Sequence, residues 1–94
     1  MLESQFQRRV IERLEDEFPG CVVIKNDPEY LQGVPDLLVL HHDRWAMLEV
    51  KASADSDEQP NQRYYVEMFD SMSFGAFIFP ENMDEVFDAL QQAL

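Results

Sequence analysis

Gly33-Val34-Pro35-Asp36-Leu37-Leu38-Val39-Leu40-His41-His42-Asp43-Arg44-Trp45-Ala46-Met47-Leu48-Glu49-Val50-Lys51 reads as a β-hairpin that carries two acids and a lysine. Asp36 to Leu40 and Trp45 to Lys51 are the two apolar strands, joined by the polar turn His41-His42-Asp43-Arg44. A tight turn centred on His42-Asp43 pairs residues whose numbers sum to 85, which sets Asp36 opposite Glu49. Directly opposed residues of an antiparallel pair hold their Cβ atoms about 5 Å apart on one face. Side chains alternate along a strand, so Lys51 emerges on the same face as Glu49. Asp36, Glu49 and Lys51 are thereby expected at one spot, among apolar neighbours.

Two like charges opposed across a ladder destabilise it, and a carboxylate in apolar surroundings is costly without a cation. Two cations suit the spot. Lys51 alone would form a structural ion pair with one of the acids. Alternatively Mg²⁺ or Mn²⁺, hard ions that take oxygen ligands and keep several waters, would bind beside the lysine.

The 94 residues make one domain, large enough to fold without disulfides or structural metals. Cys21 is the lone cysteine, so no internal disulfide forms, and its neighbours Val22, Val23 and Ile24 suggest an inert thiol buried in a strand. No apolar run approaches membrane-spanning length and the N-terminus has no signal-peptide pattern, so a cytoplasmic protein with no membrane partner is expected. The net charge of −12 opposes phosphate at long range. It is unevenly spread. Residues 1–51 hold six basic and ten acidic groups, whereas residues 52–94 hold Arg63 as their one cation against nine acids.

Working outward, Leu2 to Phe18 is predicted to be a helix whose apolar face is Leu2, Phe6, Val10, Leu14 and Phe18. Glu12 points away from that face. Glu3 falls on its middle line, turned towards the core or a site lining it, in a first turn where a carboxylate also gains from the helix dipole. Pro19-Gly20 ends this helix, Cys21 to Lys25 is a short strand of the buried type, and Asn26 to Gly33 is a polar loop in which Tyr30 caps the sheet. His41 and His42 belong to a solvated turn. Ala52 to Gln59 is expected to be a mobile acidic loop, and Pro60 to stand in the first turn of a second helix. Tyr65, Met68, Phe69 and Met72 form that helix's core stripe, with Gln62 on its margin facing the sheet. Gly75 to Phe79 is a buried strand. Asn82 and Glu85 have the spacing of a capping box, and Met83, Phe87, Leu90 and Leu94 carry a last helix.

The order αβββαβα, with Gly33-Val34-Pro35-Asp36, Glu49-Val50-Lys51 and Gln62 in place, resembles the PD-(D/E)XK nucleases and, within them, the virus-type replication-repair nuclease (VRR-Nuc) domain. The resemblance covers residues 1–94 as a single, minimal, stand-alone domain. It implies an α/β, restriction-endonuclease-like core: a mixed central sheet flanked by helices. It implies that Asp36, Glu49 and the backbone carbonyl of Val50 bind Mg²⁺ or Mn²⁺, with Glu3 completing the acidic cluster directly or through water. Lys51 would orient or activate the attacking water and help neutralise the scissile phosphate, and Gln62 would support the site.

The implied activity is that of a metal-dependent, structure-selective DNA endonuclease of the Holliday junction resolvase type, a homodimer acting on four-way junctions. Its implied setting is the cytoplasm of a bacterial cell, with the chain encoded by the cell or by a phage. A flap, nick or single-strand nuclease would use the same site. The acidity supports a different class, a non-catalytic binding module that mimics DNA and inhibits a DNA-binding protein. That reading leaves the coincidence of Glu3, Asp36, Glu49, Lys51 and Gln62 unexplained.

Overall fold

The computed structural model describes residues 1–94 as α1 (Glu3–Glu17), β1 (Val22–Lys25), β2 (Leu37–His41), β3 (Arg44–Val50), α2 (Gln62–Met72), β4 (Gly75–Ile78) and α3 (Met83–Ala93), with a short 3-10 turn at Pro80–Asn82. The expected order αβββαβα holds. One sheet runs β1-β2-β3-β4, antiparallel through β3 and parallel between β3 and β4. The hairpin register is the one expected from the turn, with Leu37 opposite Leu48 and His41 opposite Arg44. His42 turns the chain with a left-handed φ of 56°.

Alternation along the strands gives the sheet two different faces. Leu37, Val39, Ala46, Leu48, Val50 and Ile78 point one way and are fully buried against Phe6, Val10 and Leu14 of α1 and Phe87 and Leu90 of α3. Each such side chain, fully buried, contributes about 1.5–3 kcal/mol, so this layer carries the fold. The other face turns towards α2 and holds Met47, Glu49 and, by the same alternation, Asp36 and Lys51. Glycine at position 75 lets α2 lie close on β4. A Cβ there would stand 2.4 Å from the Val66 carbonyl oxygen and 2.8 Å from the Asp70 nitrogen, both backbone atoms of the helix. Gly75→Ala is therefore expected to lower stability by about 1–3 kcal/mol, read as a reduced urea midpoint. An unchanged midpoint would mean that α2 sits less tightly than this.

The β1 strand is not buried: it is a sheet edge, with Val22 53% and Ile24 43% exposed, because no helix covers the outer face of β1 and β2. Cys21 precedes that strand, half-buried, its thiol directed at the Leu14 carbonyl. Leu2 is exposed, since α1 begins only at Glu3 and its first turn overhangs the core. In α2 only Val66 is buried. Tyr65, Met68 and Phe69 are half-buried and Met72 is exposed, because one helix shields only part of its face of the sheet.

Pro60 lies before α2, not within its first turn; Asn61, with φ of 71°, forms the bend between them. Tyr30 is 89% exposed and caps nothing. His41 is not fully solvated, as its ring meets Phe18 edge-on at 5.5 Å. Asn82 makes no capping box. Its side chain accepts a hydrogen bond from Phe79 N and donates one to Phe77 O, which holds the 3-10 turn closed.

Candidate active site

The hairpin register brings the two acids together at the open end of β2 and β3. One carboxylate oxygen of Asp36, Oδ2, accepts a hydrogen bond from Val50 N at 2.8 Å, which continues the strand pairing one step beyond the ladder. Asn26 holds the backbone in place: its N–H donates to the Asp36 carbonyl and its Nδ2 to the Pro35 carbonyl, each at 2.8 Å. Asn26 is a site-shaping residue that the sequence reading passed over as part of a polar loop. A side-chain amide seven residues before Gly33, at the point where β1 leaves the sheet, was its one signal.

Glu49 is 3% exposed. Its Oε2 accepts from Gln62 Nε2 at 3.2 Å, while Oε1 is buried with no hydrogen-bond partner. Desolvation, followed by the charge of Asp36 and then by a proton the two carboxyls can share, pushes the Glu49 carboxyl up to about 9, against an opposing pull from Lys51. The lack of a partner for Oε1 is that of the ionised acid. Near neutral pH the buried acid is thus poised to hold a proton or to exchange it for a metal cation.

Lys51 is 7% exposed, and no carboxylate lies within ion-pairing distance of it. The simple ion pair between Lys51 and one of the acids is not what forms. Its Nζ instead donates to Gln62 Oε1 at 2.7 Å and to the Asp57 carbonyl at 2.9 Å. Gln62 is therefore the joint of the site, receiving Lys51 on its oxygen and donating to Glu49 from its nitrogen. Gln59 N also donates to that oxygen, at 2.8 Å. The close approach of Gly33 to Asn61 sets where α2 begins. Gly33 has φ of 89°, and a Cβ there would come within 2.6 Å of the Asn61 Cβ. The 52–59 loop is anchored, contrary to expectation, because Asp57, Gln59 and the Ala54–Glu81 hydrogen bond tie it down.

Glu3, at the start of α1, lies within electrostatic reach of the central pair. It is exposed, yet desolvation and the charge of Asp36 both raise its carboxyl, with Lys51 acting in the opposite sense. No three His, Cys, Asp or Glu side chains converge tightly enough to cage a metal by themselves. The donor set fits a divalent ion on a different ground. Two adjacent carboxylates, one with a buried unpartnered oxygen, are hard oxygen ligands of the kind a divalent ion takes. An unsatisfied buried oxygen of this kind is costly in a folded protein and calls for an explanation, such as an ion.

The chain is thus an α/β domain in which a mixed four-stranded sheet, with helices on both faces, carries a pair of acids at its open end. The chain is similar to a solved structure described as a VRR_NUC domain, with 27% sequence identity, a TM-score of 0.73, and coverage of 92% of this chain and 94% of that one. No family model matches the chain, and neither does any curated protein. On the structural likeness the chain is identified as a VRR-Nuc domain.

Proposed function

We propose that this chain is a metal-dependent, structure-selective DNA endonuclease of the Holliday junction resolvase type, acting as a homodimer. The observation that carries the proposal is the unpartnered, buried Glu49 Oε1 beside Asp36, with a lysine held by neutral acceptors and linked to Glu49 through Gln62. Asp36, Glu49 and the Val50 carbonyl would hold Mg²⁺ or Mn²⁺, and Glu3 would act on the same ion through water. Such an ion would lower the pKa of water at the site and stabilise charge on the phosphate oxygens. The Lys51 ammonium orients that water and neutralises the scissile phosphate. Gln62 keeps Lys51 aimed and Glu49 in place, and Asn26 keeps Asp36 at the mouth of the hairpin.

The acid-rich surface limits where DNA can approach. Arg13 is committed to Glu17, Asp84 and the face of Phe87, so it is poorly placed for phosphate. Arg8, Arg9, Lys25 and Arg44 are exposed. Binding through so few contacts should be weak, with a salt dependence that scales with the number of phosphates they neutralise. A homodimer would gather two sets of these cations and present two sites to a branched substrate. The uncovered apolar outer face of Val22, Ile24 and Leu40, beside the free edge of β1, is compatible with such pairing.

The test is cleavage of a labelled four-way junction beside linear duplex, flap, nicked and single-stranded DNA, with Mg²⁺, Mn²⁺ or chelator. Symmetric, metal-dependent cuts in the junction are expected, together with a dimer mass in solution. Cutting of flap or single strands alone would keep the site and replace the substrate. Failure to cut any DNA, with calorimetric Mn²⁺ binding absent or unaltered by Asp36→Asn, would leave the acidic inhibitor as the better reading.

A further inference from the structure

Arg63, the one cation after Lys51, is placed on the wall of a cavity that Lys51 also lines. The cavity, about 240 Å³, lies between the 52–59 loop, the start of α2 and the end of β4; Ser53 and Ser56 add hydroxyls, and Phe77 and Phe79 form its apolar floor. It is smaller than the roughly 300–1,000 Å³ typical of small-molecule sites, a size suited to part of a nucleotide. Phe77 stands opposite Glu49 in the sheet, so the cavity adjoins the catalytic acids on the β4 side.

The Arg63 guanidinium lies over the Phe77 ring, 5.1 Å from its centroid. Both sides of its fork are taken by Glu58: Nε donates to Oε1 at 2.9 Å, and the terminal NH2 donates to Oε2. Glu67 is a looser neighbour at 3.8 Å. Arginine takes carboxylate and phosphate with the same two-pronged geometry, so Glu58 occupies the position of a phosphate. The pair is solvent-exposed, and exposed ion pairs are weak enough to exchange partners. Glu58 also follows Asp57, whose carbonyl holds the Lys51 ammonium. One short loop therefore restrains both cations.

We propose that Arg63 anchors the phosphate of the nucleotide next to the scissile bond, and that Glu58 occupies its fork until DNA displaces it. This rests on the nuclease reading. The cavity then takes a flanking sugar-phosphate unit over Phe77 and Phe79, and Glu58 screens out DNA that cannot deliver a phosphate there.

The test is single-turnover cleavage of the junction, or of whichever DNA is cut, at graded protein and salt concentrations with Mn²⁺. Arg63→Gln should raise the half-saturating concentration roughly tenfold and lower the salt slope by about one phosphate contact. Glu58→Gln should lower that concentration by about threefold or more. Asp88→Asn removes an equal charge from an exposed site on α3 and controls for the general acidity; its effect should be smaller. In the Arg63→Gln background the gain from Glu58→Gln should vanish, which marks a direct coupling. A gain that persists without Arg63, or that only equals the Asp88→Asn effect, would overturn the proposal while wild-type cleavage keeps the nuclease reading intact. Wild-type protein that neither binds nor cuts DNA would overturn both.

Discussion

Replacing Glu49 with glutamine is expected to abolish DNA cleavage and, in the absence of metal, to make the protein more stable. Glu49 is almost completely buried, and its folded-state acidity is shifted from 4.5 up to about 9 by desolvation and by Asp36. A carboxyl with a raised folded pKa favours folding fully only below its unfolded pKa. That contribution is lost as pH rises from about 4.5 towards 9, because the unfolded chain ionises freely while the folded one must retain a proton or bury a charge. At pH 8 the metal-free protein therefore bears a penalty on the order of a few kcal/mol, less than the full shift implies because Asp36 shares the load.

Glu49→Gln removes that penalty. The introduced amide supplies a donor for Asp36 and keeps an acceptor for Gln62. Urea unfolding should show a gain of about 1–3 kcal/mol at pH 8, little change near pH 4.5, and a flatter dependence between them. Saturating Mn²⁺ should raise the alkaline stability of the wild type by mass action and leave the variant nearly unmoved. Cleavage should fall about a thousandfold or more, the scale of losing a principal transition-state stabiliser. A variant that cuts DNA at the wild-type rate, or that is less stable at pH 8, would remove Glu49 from the proposed role.

Lys51→Met should separate chemistry from folding. The methionine keeps much of the buried stem, while the ammonium that Gln62 and Asp57 hold is lost. Cleavage at saturating metal should drop about 10²–10⁴-fold, as expected for a group that positions or polarises the attacking water. Mn²⁺ affinity measured by calorimetry should be unchanged or higher, since a neighbouring positive charge has gone. Stability should move by only about 1 kcal/mol, because no ion pair is broken and the buried charge is removed along with its donors. Lys51→Arg should not restore the rate, since a planar fork cannot repeat the two contacts of Nζ. Wild-type cleavage by Lys51→Met would make the lysine structural. Loss of metal binding would make it part of the metal site's architecture.

The hairpin was legible because its information is local. A two-residue turn at His42-Asp43 dictates the pairing of every residue on both strands, so Asp36, Glu49 and Lys51 come to one face by counting. The helical periodicity of Phe6, Val10, Leu14 and Phe18 likewise identified the buried stripe of α1. Gln62 was placed facing the sheet from its position on α2, and it joins Glu49 to Lys51.

Periodicity reports which side chains favour burial, but it does not say how much cover the rest of the fold provides. Two helices, α1 and α3, pack on one face of the sheet, leaving α2 as the only helix on the other. Val22, Ile24 and Met72 consequently remain exposed despite strongly apolar patterns. The same long-range arrangement decided three further points. Asn26 reaches back to the Pro35 and Asp36 carbonyls, the 52–59 loop becomes anchored, and Arg63 moves from an acidic half of the chain to the wall beside Lys51. Local counting determined which charges meet across the hairpin. Only the tertiary packing decided how dry they are, and desolvation is what turns two adjacent acids into a site suited to a divalent cation.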